Sequence, residues 1–374
     1  MRFTTLIAKN LVRRGVRTIL TVVGLSIGIA AVVAMLGIAW GFERSFLAIN
    51  EAKGIDLMVV RAGVSDKLTS SLDESLAGEL QRIPGVREVA GSYMDVVSFE
   101  DANLVSVLVN GWEPGSILFR GIRILKGRAL VAGDGRAAVL GRVLAMNLGK
   151  SVGDSLDVAG EKFQVVGIFE SDSLFENGGL IVPRSVLQKM MGREGNVTGF
   201  VVMATPNDPI SLEALRKRIE ATIPGVAAVP SRDYVQGDIR IRMVKAMAWT
   251  TSAIALVLGS IGVLNTMMMT VFERTVEIGL LRALGWRRKR VLALILGEAL
   301  ALGVAGAILG VLLGYAEIQI LSRMPTASGF VSSDFPPAVI GVGLALGVGL
   351  SLLGGVYPAL RGAAMQPTEA LRHE

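Results

Sequence analysis

Four long apolar stretches constrain this chain more than any other feature of its sequence. They occupy residues 18–41, 244–272, 291–321 and 335–360. A helix needs about 20 predominantly apolar residues to cross the hydrocarbon core of a bilayer, and each stretch is long enough. The hydrophobic fraction is 51% although only 5% of residues are aromatic, so the excess consists of small and aliphatic side chains. The sequence therefore predicts a membrane protein with four transmembrane helices.

Basic residues flank two of these stretches and predict the orientation. Residues 1–17 carry five basic side chains and no acidic one, and residues 273–290 carry six basic side chains against Glu273 and Glu277. By the positive-inside rule we expect both segments in the cytoplasm. The first apolar stretch is too long for a cleaved signal peptide, so we interpret it as an uncleaved anchor.

The same orientation places the remaining segments. Residues 42–243 form an extracytoplasmic domain, residues 322–334 form a short outer loop, and residues 361–374 form a cytoplasmic tail. Both termini are thus expected in the cytoplasm. The outer domain carries 23 basic and 25 acidic residues, so the overall net charge of +6 does not indicate nucleic-acid binding.

The outer domain is predicted to be α/β, inserted between helices 1 and 2. The motif Ile83-Pro84-Gly85-Val86 recurs as Ile223-Pro224-Gly225-Val226, and each copy follows a predicted strand and helix. We therefore expect two related strand–helix units, near residues 55–110 and 199–234. Residues 120–195 are richer in glycine and short strands, and we expect a mostly β subdomain there.

Two serines are expected to start the helices of these units. Ser71-Leu72-Asp73-Glu74 matches a capping box, which predicts a helix from there to about Arg82. The second helix is expected to begin near Ser211.

Small residues recur at four-residue spacing within the apolar stretches. This spacing lets helix backbones approach closely in a membrane. The candidate helix-packing glycines are Gly24, Gly28, Gly306, Gly310, Gly314, Gly343 and Gly347.

Catalytic chemistry has little support in the sequence. The chain has no cysteine, and its single histidine is His373, the second-last residue. Gly149-Lys150-Ser151 lacks the preceding glycine of a phosphate-binding loop, because that position is Leu144. We therefore assign no catalytic residue, no metal ligand and no bound cofactor to this chain. Glu298 lies inside the third stretch. We expect a near-interface carboxylate that pairs with a neighbouring helix or reaches the headgroup region, rather than a proton relay, because a lone carboxylate makes no relay.

The loop between the second and third stretches has the pattern of a short amphipathic helix. Val276, Leu280 and Leu284 fall on one stripe at helical spacing. Gly285 is placed to end the helix, and the basic run at 287–290 follows it. We expect this helix to lie on the cytoplasmic membrane surface.

The same loop resembles the signature of FtsX-like permeases, specifically the MacB branch. The resemblance runs from Leu264-Asn265-Thr266-Met267 through the segment Glu273–Gly285. Arg17-Thr18-Ile19-Leu20-Thr21, Gly297-Glu298-Ala299 and the close from Tyr357 onward are similar to other parts of that family. The resemblance covers essentially the whole chain.

The resemblance implies a permease subunit of an ABC transporter in the bacterial cytoplasmic (inner) membrane. In that family, ATP hydrolysis in a partner subunit drives motion of the outer domains, a mechanism called mechanotransmission. ATP and Mg²⁺ would then bind the partner ATPase, which we expect to be a separate chain because only 17 residues precede the first stretch. A second, identical permease protomer and a periplasmic adaptor are the other expected partners, and an amphiphile is the expected exported substrate.

Residues 273–285 would form the helix that docks the ATPase. The candidate contact residues on this coupling helix are Glu273, Arg274, Glu277, Gly279, Arg282, Ala283 and Gly285. Two alternatives stay open at this point. One is a lipoprotein-extracting permease like LolC or LolE, and the other is a regulator of a cell-wall hydrolase like FtsX itself, which transports nothing.

Overall fold

A computed structural model describes residues 10, 13, 15–64, 69–324 and 336–366. Within these ranges, four helices are long and apolar enough to cross a membrane. The chain divides into two compact units. The first comprises residues 1–39, 245–320 and 334–374, and the second comprises residues 40–244 and 321–333. Much of the predicted outer loop and cytoplasmic tail lies outside the described residues.

The helices of the described chain are, in order, α1 (Gly15–Lys53), α2 (Leu76–Arg82), α3 (Arg142–Leu148), α4 (Leu174–Asn177), α5 (Arg184–Met190), α6 (Pro209–Thr222), α7 (Ser231–Gln236), α8 (Ile239–Glu273), α9 (Thr275–Ala283), α10 (Arg288–Leu321) and α11 (Pro337–Ala364). The strands are β1 (Leu57–Arg61), β2 (Leu72–Asp73), β3 (Val86–Phe99), β4 (Leu104–Trp112), β5 (Arg123–Gly127), β6 (Ala137–Gly141), β7 (Ser155–Val158), β8 (Glu161–Glu170), β9 (Leu180–Pro183), β10 (Asn196–Val197), β11 (Gly199–Ala204) and β12 (Val226–Pro230).

The long helices coincide with the four apolar stretches but differ from them at their ends. The largest difference is in α1, which was expected to end at residue 41 and continues to Lys53. Its 39 residues correspond to about 58 Å of helix, nearly twice the roughly 30 Å hydrocarbon core of a bilayer. The helix continues because Phe42 and Phe46 contact Phe175 within the second unit, which we call the outer unit.

A ridge of three glycines packs α10 against α1 in the first unit. A Cβ atom added at Gly306, Gly310 or Gly314 would lie 2.7–2.8 Å from side-chain atoms of α1. The facing side chains are those of Leu25, Ile29 and Val33. The absence of side chains on the ridge is therefore what allows the two helices to approach this closely.

The two remaining pairs of candidate glycines differ in how closely they pack against a neighbouring helix. Gly343 and Gly347 on α11 face α10, where an added Cβ at Gly343 would lie 2.7 Å from Val311. Gly24 has no atom near its Cβ position within 4 Å, and Gly28 has only one backbone oxygen of α8 at 4.0 Å. The first pair of small residues in the chain thus borders open space rather than a packed helix.

The two strand–helix units of the outer unit interleave in one sheet. The strand order β12-β1-β11-β3 is antiparallel throughout, with β1 paired to both β11 and β12. This is a ferredoxin-like arrangement of two split β-α-β units. Each repeated Ile-Pro-Gly-Val motif lies where a helix ends and the next strand begins, and Gly85 and Gly225 have φ values of +101° and +79°. Positive φ explains why both copies keep a glycine at that point.

Alternation along these strands separates two buried faces. Leu57, Val59 and Val202 lie on one face, where they pack with Leu80 of α2 and Ile219 of α6. The intervening residues, including Met58 and Val201, belong to a second cluster on the opposite face. Both faces of the sheet are therefore buried. Successive side chains of a strand point to opposite faces, so the position of a residue along its strand determines which cluster it joins.

The region expected to be a separate β subdomain shares this sheet. From β3 the order continues β4-β9-β6-β8-β5, with β7 paired to β8 as a hairpin. The 14-residue β3 pairs with β11 along its first half and with β4 along its second half. Because one strand serves both halves, residues 120–195 extend a continuous ten-stranded sheet of the described chain and also contribute α3, α4 and α5.

The capping-box prediction at Ser71 is wrong. Leu72 and Asp73 form β2, which pairs with β10, and α2 begins at Leu76. The Ser71 hydroxyl donates to the Asn196 side chain, so it is used to hold the β2–β10 pair rather than a helix end. The second helix begins close to the expected position, but its N-cap is Asp208, which accepts from the backbone of Ile210 and Ser211.

Candidate functional site

The segment between α8 and α10 forms a separate short helix with a break on each side. Arg274 leaves helical geometry between α8 and α9, with φ −109° and ψ 18°. The Thr275 hydroxyl donates to the carbonyl of Phe272 across this break, at 2.7 Å. The chain can therefore change direction at Arg274 without leaving that carbonyl unsatisfied.

A buried ion pair holds the start of α9 against α10. The Arg274 guanidinium donates to both carboxylate oxygens of Glu298, at 2.7 and 3.0 Å. The Glu298 side chain is 3% exposed and that of Arg274 is 8% exposed. Asn10 also donates to Glu298, at 2.7 Å. The expectation that Glu298 pairs with a neighbouring segment is confirmed, and its several donors offset the cost of burying the charge.

A second, more exposed pair joins the N-terminal part of α1 to the end of α8. Arg17 donates to both oxygens of Glu273, at 2.8 and 3.1 Å. Both side chains are about one third exposed, so solvent screens this pair far more than the Arg274–Glu298 pair.

The C-terminus of α9 is closed by a glycine motif. Gly285 has a φ of +94°, and the Trp286 amide donates to the carbonyl of Leu281 at 3.0 Å. The Gly285 amide donates to the backbone carbonyl of Arg282 at 3.1 Å, which completes the paired hydrogen bonds of a Schellman cap. Gly285 ends the helix as the sequence predicts, because the left-handed conformation disfavours residues with a Cβ atom.

The predicted apolar stripe of α9 faces outward. Val276, Leu280 and Leu284 are 50%, 52% and 72% exposed, whereas Ile278 on the other side is 3% exposed. Glu277 is also exposed and accepts a hydrogen bond from Arg274 at 2.9 Å. The helix is thus fixed along one side and presents apolar side chains along the other.

The structure divides the candidate coupling residues into two groups. Glu273, Glu277, Ala283 and Gly285 are exposed. Arg274 and Gly279 are buried within the first unit, which differs from the outward contact expected for them. Arg282 is half-buried and donates to the carbonyl of Trp286 at 3.1 Å. Arg274 and Gly279 therefore pack the helix against its own unit, whereas the four exposed residues remain accessible to a partner.

The ion pair partner of Arg274 is the part of this site that sequence reasoning missed. Glu298 is 24 positions further along the chain and on another helix. A carboxylate within an apolar stretch indicates that Glu298 needs a partner, but the sequence does not show which residue that partner is.

The outer unit has its own buried ion pair, at the end of α1. The Lys53 ammonium group lies 2.5 Å from a carboxylate oxygen of Glu176 and 4.1 Å from the centre of the Trp112 ring. Lys53 and Glu176 are 2% and 6% exposed. The Ser45 hydroxyl accepts from the backbone of Leu174, two residues before Glu176. These contacts attach the last three turns of α1 to α4.

Within the described ranges, no group of three or more acidic or histidine side chains is placed to hold a metal ion.

Comparison with known proteins identifies the class to which this architecture belongs. Residues 18–222 match the MacB-like periplasmic core domain, and residues 249–367 match the FtsX-like permease C-terminal domain. The chain therefore belongs to the MacB and FtsX-like family of ABC transporter permeases and is a membrane protein.

Similar proteins include ABC transporter permeases of about the same length and longer ATP-binding/permease proteins. The uncharacterized ABC transporter permease MJ1507 of Methanocaldococcus jannaschii is 25% identical over 98% of this chain and 96% of its own length. The uncharacterized ABC transporter permease YvrN of Bacillus subtilis is 27% identical over 96% of each chain. The macrolide export ATP-binding/permease protein MacB of Bdellovibrio bacteriovorus is 27% identical over 100% of this chain. The present chain spans about three fifths of that MacB, 61% of its length.

Among solved structures, the chain is similar to the periplasmic region of MacB from Actinobacillus actinomycetemcomitans. That match covers 51% of this chain and 96% of the other, with 15% identity and a TM-score of 0.39.

Proposed function

We propose that this chain is the permease subunit of a MacB-type ABC transporter that couples ATP hydrolysis in a separate ATPase subunit to motion of its own outer domain. ATP and Mg²⁺ would bind the ATPase chain, and we assign no catalytic residue and no bound cofactor to the permease. The proposal takes the two termini and α9 to be on the cytoplasmic side of the bacterial inner membrane.

The exposed apolar stripe of α9 is the observation that carries this proposal. A short helix with Leu280 and Leu284 more than half exposed has an apolar face that a partner can cover. Its opposite side is fixed by the Arg274–Glu298 pair, so a push on the stripe is transmitted to α8 and α10 rather than absorbed by local bending. Those two properties are what a docking helix for a moving ATPase requires.

The exposed residues around the apolar stripe would determine how the ATPase is oriented on α9. Glu273 and Glu277 flank the apolar stripe, and Ala283 and Gly285 leave space for close approach of a partner. The basic run Arg287–Arg290 follows directly and is exposed, which suits the anionic headgroup region on the cytoplasmic side.

A second copy of this chain is the proposed permease partner. In the most apolar window of α8, 17% of residues are buried, against 39–50% in the other three candidate spans. An apolar groove of about 670 Å³ lies between α1 and α8 and is bordered by Gly24, Gly28, Gly259 and Gly262. Small residues along an uncovered groove allow a helix of a second protomer to approach closely.

Export is the proposed direction of transport, with an amphiphile as substrate and a periplasmic adaptor as an additional partner. Export as the direction of transport is supported by the names of two relatives. MacB of Hyphomonas neptunium, 29% identical over 96% of this chain, is named a macrolide export protein, and PvdT of Pseudomonas syringae is named a pyoverdine export protein.

Co-expression with the ATPase encoded beside this chain tests the docking proposal. The complex is purified through a tag on the permease, and ATP hydrolysis is measured for the parent, for Leu280→Glu and for Glu277→Lys. We expect Leu280→Glu to lose the ATPase from the purified complex, because a buried carboxylate would face the partner. Glu277→Lys should reduce assembly or hydrolysis by reversing a charge at the edge of the stripe.

Ile210→Glu is the matched control, since Ile210 is 83% exposed on α6 of the outer unit. This variant should retain the ATPase in full. Loss of the ATPase from all variants alike, or retention in Leu280→Glu, would contradict docking through α9.

A further inference from the structure

The outer unit contains a cavity between one face of its sheet and the end of α1. The floor is formed by four adjacent strands, β1, β11, β3 and β4. The roof is formed by the last turns of α1, by α7 and by Glu176 of α4. All of these elements belong to the same compact unit.

Strand alternation explains why this face carries a cavity. On β4, Leu108, Asn110 and Trp112 occupy alternate positions and all line the cavity. Met94 of β3 is the direct partner of Asn110 in the strand register and also lines it. Gly199 of β11 contributes no side chain to the floor, and an added Cβ there would lie 2.9 Å from the carbonyl oxygen of Val59 on the neighbouring strand β1.

The lining includes the buried polar side chain of Asn110. Asn110 is 4% exposed, and within the described part of the chain its side-chain amide makes no hydrogen bond. Amide groups that lie inside a folded domain usually pair with protein, water or ligand. Asn110 offers a donor and an acceptor side by side, which match the acceptor and donor of another amide.

The remaining lining excludes a charged ligand. Most of it is apolar, with Phe46, Ile49, Leu108 and Trp112 among its walls. The charged groups at its edge, Lys53 and Glu176, already neutralise each other at 2.5 Å. A charged ligand would lose its hydration without gaining a free counter-charge.

The size of the cavity limits the ligand further. Its volume is about 110 Å³, smaller than the roughly 150 Å³ engineered cavity known to bind benzene. We propose that this cavity binds a small neutral ligand with a short apolar body and one carboxamide-like head that pairs with Asn110. The ligand is either a free molecule or the end of a larger amphiphile, and both present the same chemistry to the cavity.

Ligand-observed NMR on the full chain in lipid nanodiscs tests this site, with butyramide as the probe. Saturation-transfer titrations give the affinity for butyramide, and butyrate serves as the charged analogue with the same apolar body. We expect saturable binding of butyramide and none of butyrate. Asn110→Leu should weaken butyramide binding about fivefold, the equivalent of one net hydrogen bond of about 1 kcal/mol.

Leu108→Phe should abolish butyramide binding by filling the cavity, and Val105→Phe is its matched control. Val105 lies on the same strand but is 71% exposed. Melting temperatures verify that each variant is folded, and if Leu108→Phe is not, Asn110→Leu decides the result. No saturable binding to the parent, or equal binding by the parent and Asn110→Leu, would overturn the proposal.

The assay contains no ATPase and follows binding alone. A negative result would therefore remove the ligand site and leave the proposed coupling to an ATPase untouched.

Discussion

At the scale of single residues, the Arg274–Glu298 pair is the contact most sensitive to change. Replacing Glu298 by Ala leaves a buried guanidinium without its main partner. Breaking a buried pair in this way costs about 3–5 kcal/mol, so we expect Glu298→Ala to lower the free energy of unfolding by that amount. The measurement is unfolding of the purified chain in mixed micelles against increasing SDS.

Two further variants separate the ion pair from a general effect of mutation. Glu273→Ala removes the partner of Arg17 in the exposed pair and should cost much less, because water already screens that contact. The double variant Arg274→Met with Glu298→Leu removes both charges and should recover most of the stability. A Glu298→Ala chain as stable as the parent would show that the buried pair does not hold α9.

Residue-level prediction from sequence worked where a local rule fixes the outcome. Gly285 ends α9 because a tight turn with positive φ favours glycine, and this rule needs no knowledge of the fold. Arg274 was expected to point outward, because helical spacing alone does not reveal that a carboxylate 24 residues later lies behind it. The inner and outer sides of α9 were therefore not distinguishable before the bundle was known.

At the scale of elements, the close approach of α1 and α10 depends on the glycine ridge. Gly310→Leu would place side-chain atoms where Ile29 and the carbonyl of Ser26 now lie, 2.7 and 2.8 Å from an added Cβ. We expect this variant to lose about 1–3 kcal/mol of stability through overpacking, or more if the helices separate. Thermal melting of the purified chain measures the loss.

Gly24→Leu is the comparison for that prediction, because nothing lies within 4 Å of an added Cβ there. The Gly24→Leu variant should have the melting temperature of the parent. It should instead reduce the dimer fraction measured by crosslinking or native mass spectrometry. Equal destabilisation by the two variants would mean that the ridge is not specific, and an unchanged dimer would remove the groove from the proposed protomer contact.

The sequence predicted the types and order of the elements better than their ends. Apolar length predicted the four long helices, and the repeated Ile-Pro-Gly-Val motif predicted two related strand–helix units. The extension of α1 to Lys53 was missed because its stabilisation comes from Phe175 and Glu176, more than 120 positions away. The same holds for Ser71, whose partner Asn196 is provided only by the folded domain.

At the scale of the whole molecule, the family is established and the coupling is a proposal. One part of the sequence, the MacB-like core at residues 18–222, includes the first long helix and most of the outer domain. The other, the FtsX-like part at residues 249–367, includes most of α8 and all of α9, α10 and α11. If the ATPase acts on α9, its effect must appear as a movement of the outer domain.

Distance measurement between two outer domains tests this central claim most directly. The chain has no cysteine, so Met146→Cys, at a position 66% exposed in the outer unit, gives one spin label per protomer without background. Pulsed electron paramagnetic resonance then reports the inter-protomer distance in the complex with the ATPase, without nucleotide and after trapping with ATP and vanadate. If α9 transmits the motion of the ATPase, the distance distribution shifts on trapping, and it does not shift in the Leu280→Glu background. An unchanged distribution in a complex that hydrolyses ATP would contradict transmission through α9.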